Sequence, residues 1–296
     1  MTAPIDVVVV SYNRRDLLAR CLASLRESER TTRVFVVDNA SSDGSAALVS
    51  DQYPQANLLV NSTNIGFAAA VNRGVGDGNA PLVLLLNSDA TVETTTLGVL
   101  EQALEEDSRL AAVGPKIVGD DGELELSTGR TMSLWNEAWF KLVGEMGGSQ
   151  GWLFGPHLRR QYAIDRNTDS LTAACLLVRR EAYEAMGGLD ERFFLYAEDV
   201  DLCRRLRHAG WRLRYVAQAR LRHLRGGSRS SDPTPAVIAY RASQVGFYAK
   251  HRGPLSRMVL RAYLEARYGV GALCGRDADM AMWSWLRGGM PPPDGT

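Results

Sequence analysis

An α/β fold with a mostly parallel sheet flanked by helices is what this sequence predicts, and three features predict it. Short apolar runs of strand length alternate with helix-period segments at intervals of roughly 25–35 residues, the rhythm of βαβ units. One run, Leu82 to Leu86, is apolar on both faces and bounded by Pro81 and Asn87, which suits a central strand covered above and below. Polar clusters stand at the ends of three runs: Ser11, Tyr12 and Asn13; Asp38 and Asn39; Asn87, Ser88 and Asp89. Right-handed crossovers bring successive parallel-strand ends to one edge, where open α/β sheets bind ligands, so the clusters are expected to converge.

Each element follows from its residues. Ile5 to Val10 (IDVVVV) reads as a buried strand, and Leu17, Leu18, Cys21, Leu22 and Leu25 predict an amphipathic helix with Asp16 as N-cap. Val34 to Val37 is a second strand, and Ser41-Ser42-Asp43-Gly44 is turn and cap chemistry before a second helix. Asn57 to Val60 is a third strand. The loop Asn61 to Gly66 then opens a helix, Phe67 to Val75, that carries Asn72. Gly74, Gly76 and Gly78 follow a helix and precede a strand, the wrong order for a dinucleotide loop, and read as a C-cap.

Beyond Asp89 the sequence predicts a helix over Leu97 to Glu106 and a strand around Val113 to Val118, closed by the turn Asp120-Asp121-Gly122. From Met132 to Arg166 periodicity fades among Trp135, Trp139, Phe140, Trp152 and Phe154, which is either a lid or acceptor platform or core on irregular backbone. Leu171 to Val178 is a further buried strand, with a helix from Arg180 to Met186 after it. Glu198, Asp199 and Asp201 then open a helix that ends in Arg204, Arg205 and Arg207. Acid first and base last complements the helix dipole, but Phe193-Phe194-Leu195-Tyr196 ahead of the acids also predict a partly desolvated cleft wall. His223 lies in a basic, glycine-rich stretch running to Ser228, as a structural histidine, a metal ligand or a phosphate contact. Two basic amphipathic helices, about Pro235 to Lys250 and Leu255 to Tyr268, complete the chain, giving domains at 1–230 and 231–296.

Composition narrows the class. At 296 residues and 45% apolar the chain can bury a full core. No apolar run approaches the roughly 18 residues of a membrane span, and MTAPID has no basic or apolar leader character, so a cytoplasmic protein is expected. Cys21, Cys175, Cys203 and Cys274 are too scattered for a paired zinc pattern or a disulfide framework. Net charge is zero, yet residues 1–201 hold 17 Lys and Arg against 29 Asp and Glu, and residues 202–296 hold 17 against 5. That asymmetry points to phosphates, anionic lipid or nucleic acid, or else to a solvated basic face. No recognised nucleic-acid module accompanies it, so no nucleic-acid partner is expected.

Three groups carry candidate chemistry. Asp89, at the end of a central strand, either caps the next helix or takes a divalent cation that holds a phosphate. Asp38 either makes an Asx turn or accepts the imide N–H of uracil or thymine. The Asn64–Gly66 turn at a helix N-terminus offers backbone N–H groups to a phosphate or base.

VVVVSYNRRDLLARCLASL, VFVVDNASSDGS, NIGFAAAVNRG, LLLNSDA, CLLVRREAYEAMGGLDERFFLYAEDVDLCRRLRHAGW and the His223 segment occur in one order over roughly Ile5 to Ser228. Together they resemble glycosyltransferase family 2, in particular its rhamnosyltransferase-like branch. The resemblance implies a GT-A (Rossmann-like) fold, a nucleotide-sugar donor, a divalent metal (Mg or Mn) and inversion at the anomeric carbon. It implies donor contacts at Ser11, Tyr12, Asn13, Asp38, Asn39, Asn64, Gly66, Asn72 and Asn87, and metal contacts at Asp89 and His223. Asp199 matches the general base, with Glu198 as its neighbour and Asp201 in support. The first aspartate of the metal motif is Asn87 here, which removes one negative charge from the site. By the same resemblance the donor is dTDP-rhamnose or a UDP-sugar and the acceptor a glycan or lipid-linked sugar, and the basic C-terminal third fits an anionic membrane surface at the inner face of the cell membrane. Two other classes stay open: a non-catalytic relative that binds nucleotide sugar or glycan, and a sugar nucleotidyltransferase. The latter is expected to carry a glycine-rich basic loop after the first strand, where this chain has SYNRRD.

Overall fold

The computed structural model describes residues 3–129, 154–224 and 234–288, with 132–136, 139, 143, 146 and 149–152 of the segment between the first two. The sequence reading of 225–228, and that of 130–153 where not named here, lies outside those residues.

The first half alternates as expected: β1 (Ile5–Ser11), α1 (Arg15–Arg26), β2 (Thr32–Asp38), α2 (Ser45–Gln52), β3 (Asn57–Val60), α3 (Phe67–Gly76), β4 (Leu82–Asn87). Then come β5 (Ala90–Val92), α4 (Thr96–Glu105), β6 (Leu110–Gly119), β7 (Thr128–Gly129), α5 (Gly155–Gln161), β8 (Arg166–Asn167), β9 (Ser170–Leu171), β10 (Cys175–Arg179), α6 (Arg180–Ala185), α7 (Glu198–His208) and β11 (Arg212–His223). Three helices close the chain: α8 (Thr234–His251), α9 (Pro254–Leu273) and α10 (Asp277–Gly288).

The main sheet runs β3-β2-β1-β4-β10-β6-β11-β5, with β8 beside β11. The pairs β3–β2, β2–β1, β1–β4 and β6–β11 are parallel; β10 enters antiparallel between β4 and β6, and β5 is antiparallel to β11. Strand alternation divides the core. Val7, Val9, Leu84 and Leu86 face α1, α2 and α4 on one side. Val8, Val83 and Leu85 face α3, α6 and α7 on the other. Leu84, Leu85 and Leu86 are essentially without exposure, so each adds about 1.5–3 kcal/mol of burial.

Four expectations are corrected. Asp16 lies in the first turn of α1, and the cap position is Arg14. Leu171 to Val178 is not one strand: it breaks at Thr172-Ala173-Ala174, between β9 and β10, because the Ala173 N–H turns to a side chain of α7 instead of a neighbouring strand. Asp89 opens no helix, since β5 follows it at once. The basic C-terminal segment forms three helices, not two.

Those helices build their own small core, in which Phe247, Tyr248, Leu260, Leu264, Tyr268 and Met282 pack with Phe193 and Ala197. The segment from Phe193 to the start of α7 is thus held between the sheet layer and the C-terminal helices. No described helix is long and apolar enough to cross a membrane.

Candidate active site

Strand register gathers the polar clusters. Ser11 lies opposite Asp38, and Val10 opposite Asn87, so the ends of β1, β2 and β4 share one edge. Ser11 and Asp38 are fully buried there. Asp38 Oδ2 accepts from the Ser41 N–H at 3.0 Å, which is the Asx-type turn. Asp38 Oδ1 and Ser11 Oγ find no partner among the described residues. Buried polar atoms are nearly always hydrogen-bonded, so this adjacent pair is shaped for something further to bind.

Around it runs an amide network. Asn39 donates to Asn64 Oδ1 (3.0 Å) and to the Gly66 carbonyl (3.1 Å), and accepts from Asn61 (2.7 Å). Asn64 Oδ1 also accepts the Gly66 N–H at 3.0 Å. Gly66 has φ +84°, and a Cβ there would stand 2.7 Å from the Phe194 carbonyl oxygen, whose acceptance of the Phe67 N–H (2.7 Å) ties this loop to the chain leading into α7. Asn13 accepts from the Ser42 N–H at 2.8 Å and fixes the β1 loop against the β2 loop, while Tyr12 beside it is half-buried. Asn72 stands differently from the other predicted donor contacts. It accepts from Tyr183 (2.5 Å) and the Leu189 N–H (2.9 Å), and donates to the Leu189 carbonyl (2.8 Å) and Glu191 (2.9 Å). Its amide is engaged in bracing the 187–191 turn.

Asp89 and His223 meet because β11 pairs with β5 in the register His223 to Ala90. His223 Nε2 is 3.0 Å from Asp89 Oδ1, and its Nδ1 is 3.2 Å from Glu125 Oε2. Burial disfavours the imidazolium, but the two carboxylates outweigh it and push His223 up to about 9. Burial likewise opposes ionisation of Asp89, and the His223 hydrogen bond and charge hold its carboxyl below the usual range. A carboxylate beside an imidazole whose far nitrogen rests on a second carboxylate is a donor set that would fit a divalent cation, which would displace the proton between Asp89 and His223 Nε2. Among the described residues no three acidic, His or Cys side chains converge on one point, so a cation held by this pair takes its remaining ligands from phosphate oxygens and water. Half-buried Asn87, on the strand leading to Asp89, adds no charge.

Glu198 and Asp199 begin α7 directly after two non-glycine residues in left-handed conformation, Tyr196 (φ 69°) and Ala197 (φ 66°). Such backbone costs on the order of 1–3 kcal/mol per residue and persists where surrounding packing enforces it; here Phe193 and Ala197 are clamped under α8 and α9. Asp199 is half-buried and accepts from the Ala173 N–H (3.0 Å) and the Val200 N–H (2.7 Å). Glu198 is buried, with Oε2 unpartnered among the described residues. Burial, then the Asp199 charge, push Glu198 well above the ordinary carboxylate range. Burial also raises Asp199, but backbone N–H groups and the Thr172 hydroxyl stabilise its anion. Of the two, Asp199 is the one that ionises first.

A short path joins the two acids: Asp199 holds Ala173, and the next residue, Ala174, accepts the Asn87 N–H at 3.1 Å, two residues before Asp89. The Tyr196 phenol is raised first by burial and further by the charges of Glu198 and Asp89. Asp201 is the outlier. Fully buried, it pairs with Arg205 (2.7 Å), Lys250 (2.6 Å) and His251 (2.6 Å), a structural junction between α7 and α8.

Sequence reading missed Glu125, Tyr196, Lys250 and His251. The alternation Glu123-Leu124-Glu125 after the Asp120-Asp121-Gly122 turn is a hairpin cue, but nothing in it names His223, 98 positions away. Tyr196 had only its place ahead of the acids.

A nucleotide-type edge on four parallel strands, with Asp89 just past β4, His223 at the end of β11 and Asp199 at the start of α7, defines a GT-A enzyme, a glycosyltransferase. Residues 6–187 match the model of "Glycosyl transferase family 2", and the chain belongs to that family. It is 34% identical over 284 residues to the N-acetylglucosaminyl-diphospho-decaprenol L-rhamnosyltransferase of Mycobacterium tuberculosis, covering 90% of this chain and 92% of the relative. It is 33% identical over 226 residues to the pre-mycofactocin glycosyltransferase of the same organism, covering 74% of this chain and 42% of that one. In fold it is similar to the mannosyltransferase PcManGT of Pyrobaculum calidifontis in complex with GDP-Man and Mn2+ (TM-score 0.57, 18% identity, 97% of this chain and 83% of that one). GalNAc-T7 with UDP, GalNAc and Mn2+ is similar over 88% of this chain and 55% of that one (TM-score 0.58, 16% identity).

Proposed function

We propose that the protein transfers L-rhamnose from dTDP-L-rhamnose, with inversion, to a hydroxyl of N-acetylglucosamine carried on a polyprenyl diphosphate. The observation that supports the transferase reading is the hydrogen-bonded path that runs from half-buried Asp199 through Ala173, Ala174 and Asn87 to the strand end beside Asp89. Donor and acceptor rest on likeness to the mycobacterial relative, which extends over nine-tenths of both chains.

Asp38 Oδ1 accepts the thymine imide N–H, with Ser11 Oγ beside it, which completes two buried atoms that otherwise lack partners. The Asn39–Asn64–Gly66 network shapes the loop beneath the nucleotide. Asp89 and His223 would hold a divalent cation, which would supply charge neutralisation for the departing diphosphate. Asp199 takes the proton of the acceptor hydroxyl as that oxygen bonds to the anomeric carbon, while the bond from that carbon to the diphosphate oxygen breaks and dTDP leaves with its electron pair. Burial and the neighbouring charge push the Glu198 carboxyl well above the ordinary range, whereas backbone N–H groups and the Thr172 hydroxyl stabilise the Asp199 anion.

Positioned general-base catalysis contributes about 10²–10⁴-fold. Asp199→Asn is therefore expected to lose at least about 10²-fold in kcat while calorimetric donor affinity stays within a few-fold. Near-normal turnover removes Asp199 from this role. A panel of dTDP- and UDP-sugars with a soluble N-acetylglucosamine diphosphate acceptor tests the specificity; preference for a UDP-sugar overturns the rhamnosyl assignment alone, and binding without turnover of any donor favours a non-catalytic relative.

A further inference from the structure

Helix α9 buries Leu260, Leu264 and Tyr268 against its neighbours, as any surface helix does. Its opposite side is apolar too. Leu255, Met258, Val259, Ala262, Ala266, Val270 and Leu273 recur at spacings of three and four, the period of one helix face, and all are exposed, Leu255 at 70% and Leu273 at 83%. The stripe extends over nearly the whole 20-residue helix, a length of about 30 Å. At 100° per residue, Arg261 and Arg267 fall roughly 120° to either side of its centre, about 60° beyond the outermost apolar positions, where their long stems can still reach toward the stripe. Glu265 is the only carboxylate of the helix, and Arg261 already holds it at 2.9 Å. Over 234–288 there are eight Arg and Lys residues against three carboxylates.

We propose that this face of α9 lies in the surface of an anionic bilayer, with its apolar stripe among the acyl chains and Arg261 and Arg267 at the phosphate level. A basic-edged apolar helix too polar to span is the pattern of interfacial docking. A second copy of the chain is the poorer occupant. Packed stripe to stripe, two copies line the flanks of the seam with four arginines and leave no free carboxylate on either helix to answer them. The proposal deepens the lipid-linked acceptor reading and rests on it for its biological sense, but docking is measurable without catalysis.

The test is flotation of the full chain with phosphatidylcholine vesicles, with and without phosphatidylglycerol, from low to high salt. Binding is expected only with the anionic lipid and is expected to weaken as the Debye length falls from about 10 Å at 0.1 M to about 3 Å at 1 M. The double variant Met258→Glu, Leu273→Glu alters only exposed positions and is expected to bind at least about tenfold less, with unchanged melting temperature and unchanged turnover of a water-soluble acceptor. Absence of binding to anionic vesicles at low salt, or equal binding by the variant, overturns the proposal. So does a dimer, seen by sedimentation, that the double variant abolishes. Turnover of the soluble acceptor without vesicle binding refutes docking and leaves the transfer standing. Vesicle binding without turnover of any acceptor does the reverse.

Discussion

Asp201 is the residue whose role the structure changes most, and its replacement by Asn is the sharpest test of how the reacting segment is held. Its carboxylate has no exposure, yet two cationic groups and a histidine close on it: Arg205 at 2.7 Å, Lys250 at 2.6 Å and His251 Nε2 at 2.6 Å. Lys250 also reaches Asp190 at 2.6 Å, so α8 grips both ends of the stretch that carries Asp199. Removing one partner of a buried ion pair costs about 3–5 kcal/mol. Lys250 and Arg205 keep about a fifth of their side chains in solvent, and Lys250 retains Asp190, so the cost falls at or just below the foot of that range, about 2–3 kcal/mol. At about 2–4 °C per kcal/mol for a chain near this size, the melting temperature of Asp201→Asn is expected to fall by about 4–12 °C. Calorimetry of Asp201→Asn, Lys250→Met and the double variant checks it. The double is expected to lose less than the sum of the singles, because both remove the same contact. A melt within about 1 °C of the parent, or strict additivity, would show that the junction is a surface pairing of the kind worth little.

Three further outcomes are expected. Glu125→Gln weakens the acceptor on His223 Nδ1 and should lower Mn²⁺ affinity, titrated with dTDP present, by about 10–100-fold, whereas a change under twofold would make Glu125 a bystander. Gly66→Ala forces a Cβ to within 2.7 Å of the Phe194 carbonyl at φ +84°, so denaturant unfolding should show a loss of about 2–4 kcal/mol; a neutral result would mean the loop can retreat from Phe194. The acid limb of kcat should follow protonation of Asp199, whose carboxyl burial raises: activity is present above that raised pKa and lost as pH falls through it, so the limb lies above the range of a solvated aspartate. A limb at the ordinary value of about 3.9, with the fold intact, contradicts the burial argument.

Which of these features the chain announces in its own letters depends on how local their causes are. The two-sided apolar run at Leu82–Leu86 and the polar strand ends at Ser11, Asp38 and Asn87 were legible because strand period and crossover handedness are near-neighbour rules, and register then aligned them as expected. The break at Thr172–Ala174 was not legible. LTAACLLV has the composition of one strand, and only a carboxylate from α7, 26 positions on from Ala173, diverts the backbone. The partners of Asp201 were hidden for the same reason. Its spacing from Asp199 suggests a shared role, yet two positions along a helix point about 200° apart, and two of its three partners, Lys250 and His251, stand on α8, some 50 residues later.

That geometry also explains why the C-terminal helices belong to any account of the site. The left-handed pair Tyr196 and Ala197 stores strain at the entry to α7, and strained backbone relaxes unless neighbours hold it. The neighbours here are Phe247 and the helices around it, which cover Phe193 and Ala197, and Ser243, whose hydroxyl donates to the Leu195 carbonyl at 2.7 Å. One helical layer therefore fixes where Asp199 sits and, through α9, presents an apolar face outward. If that face meets lipid, the helices that orient the proton acceptor also set its distance from a polyprenyl diphosphate, whose sugar is tethered at the same surface. A tethered acceptor samples a thin layer instead of bulk volume, which raises its effective concentration with no added contact. Rate on a lipid-linked acceptor should then fall in the α9 double variant while the rate on a soluble one holds, a split that a merely destabilised enzyme would not show.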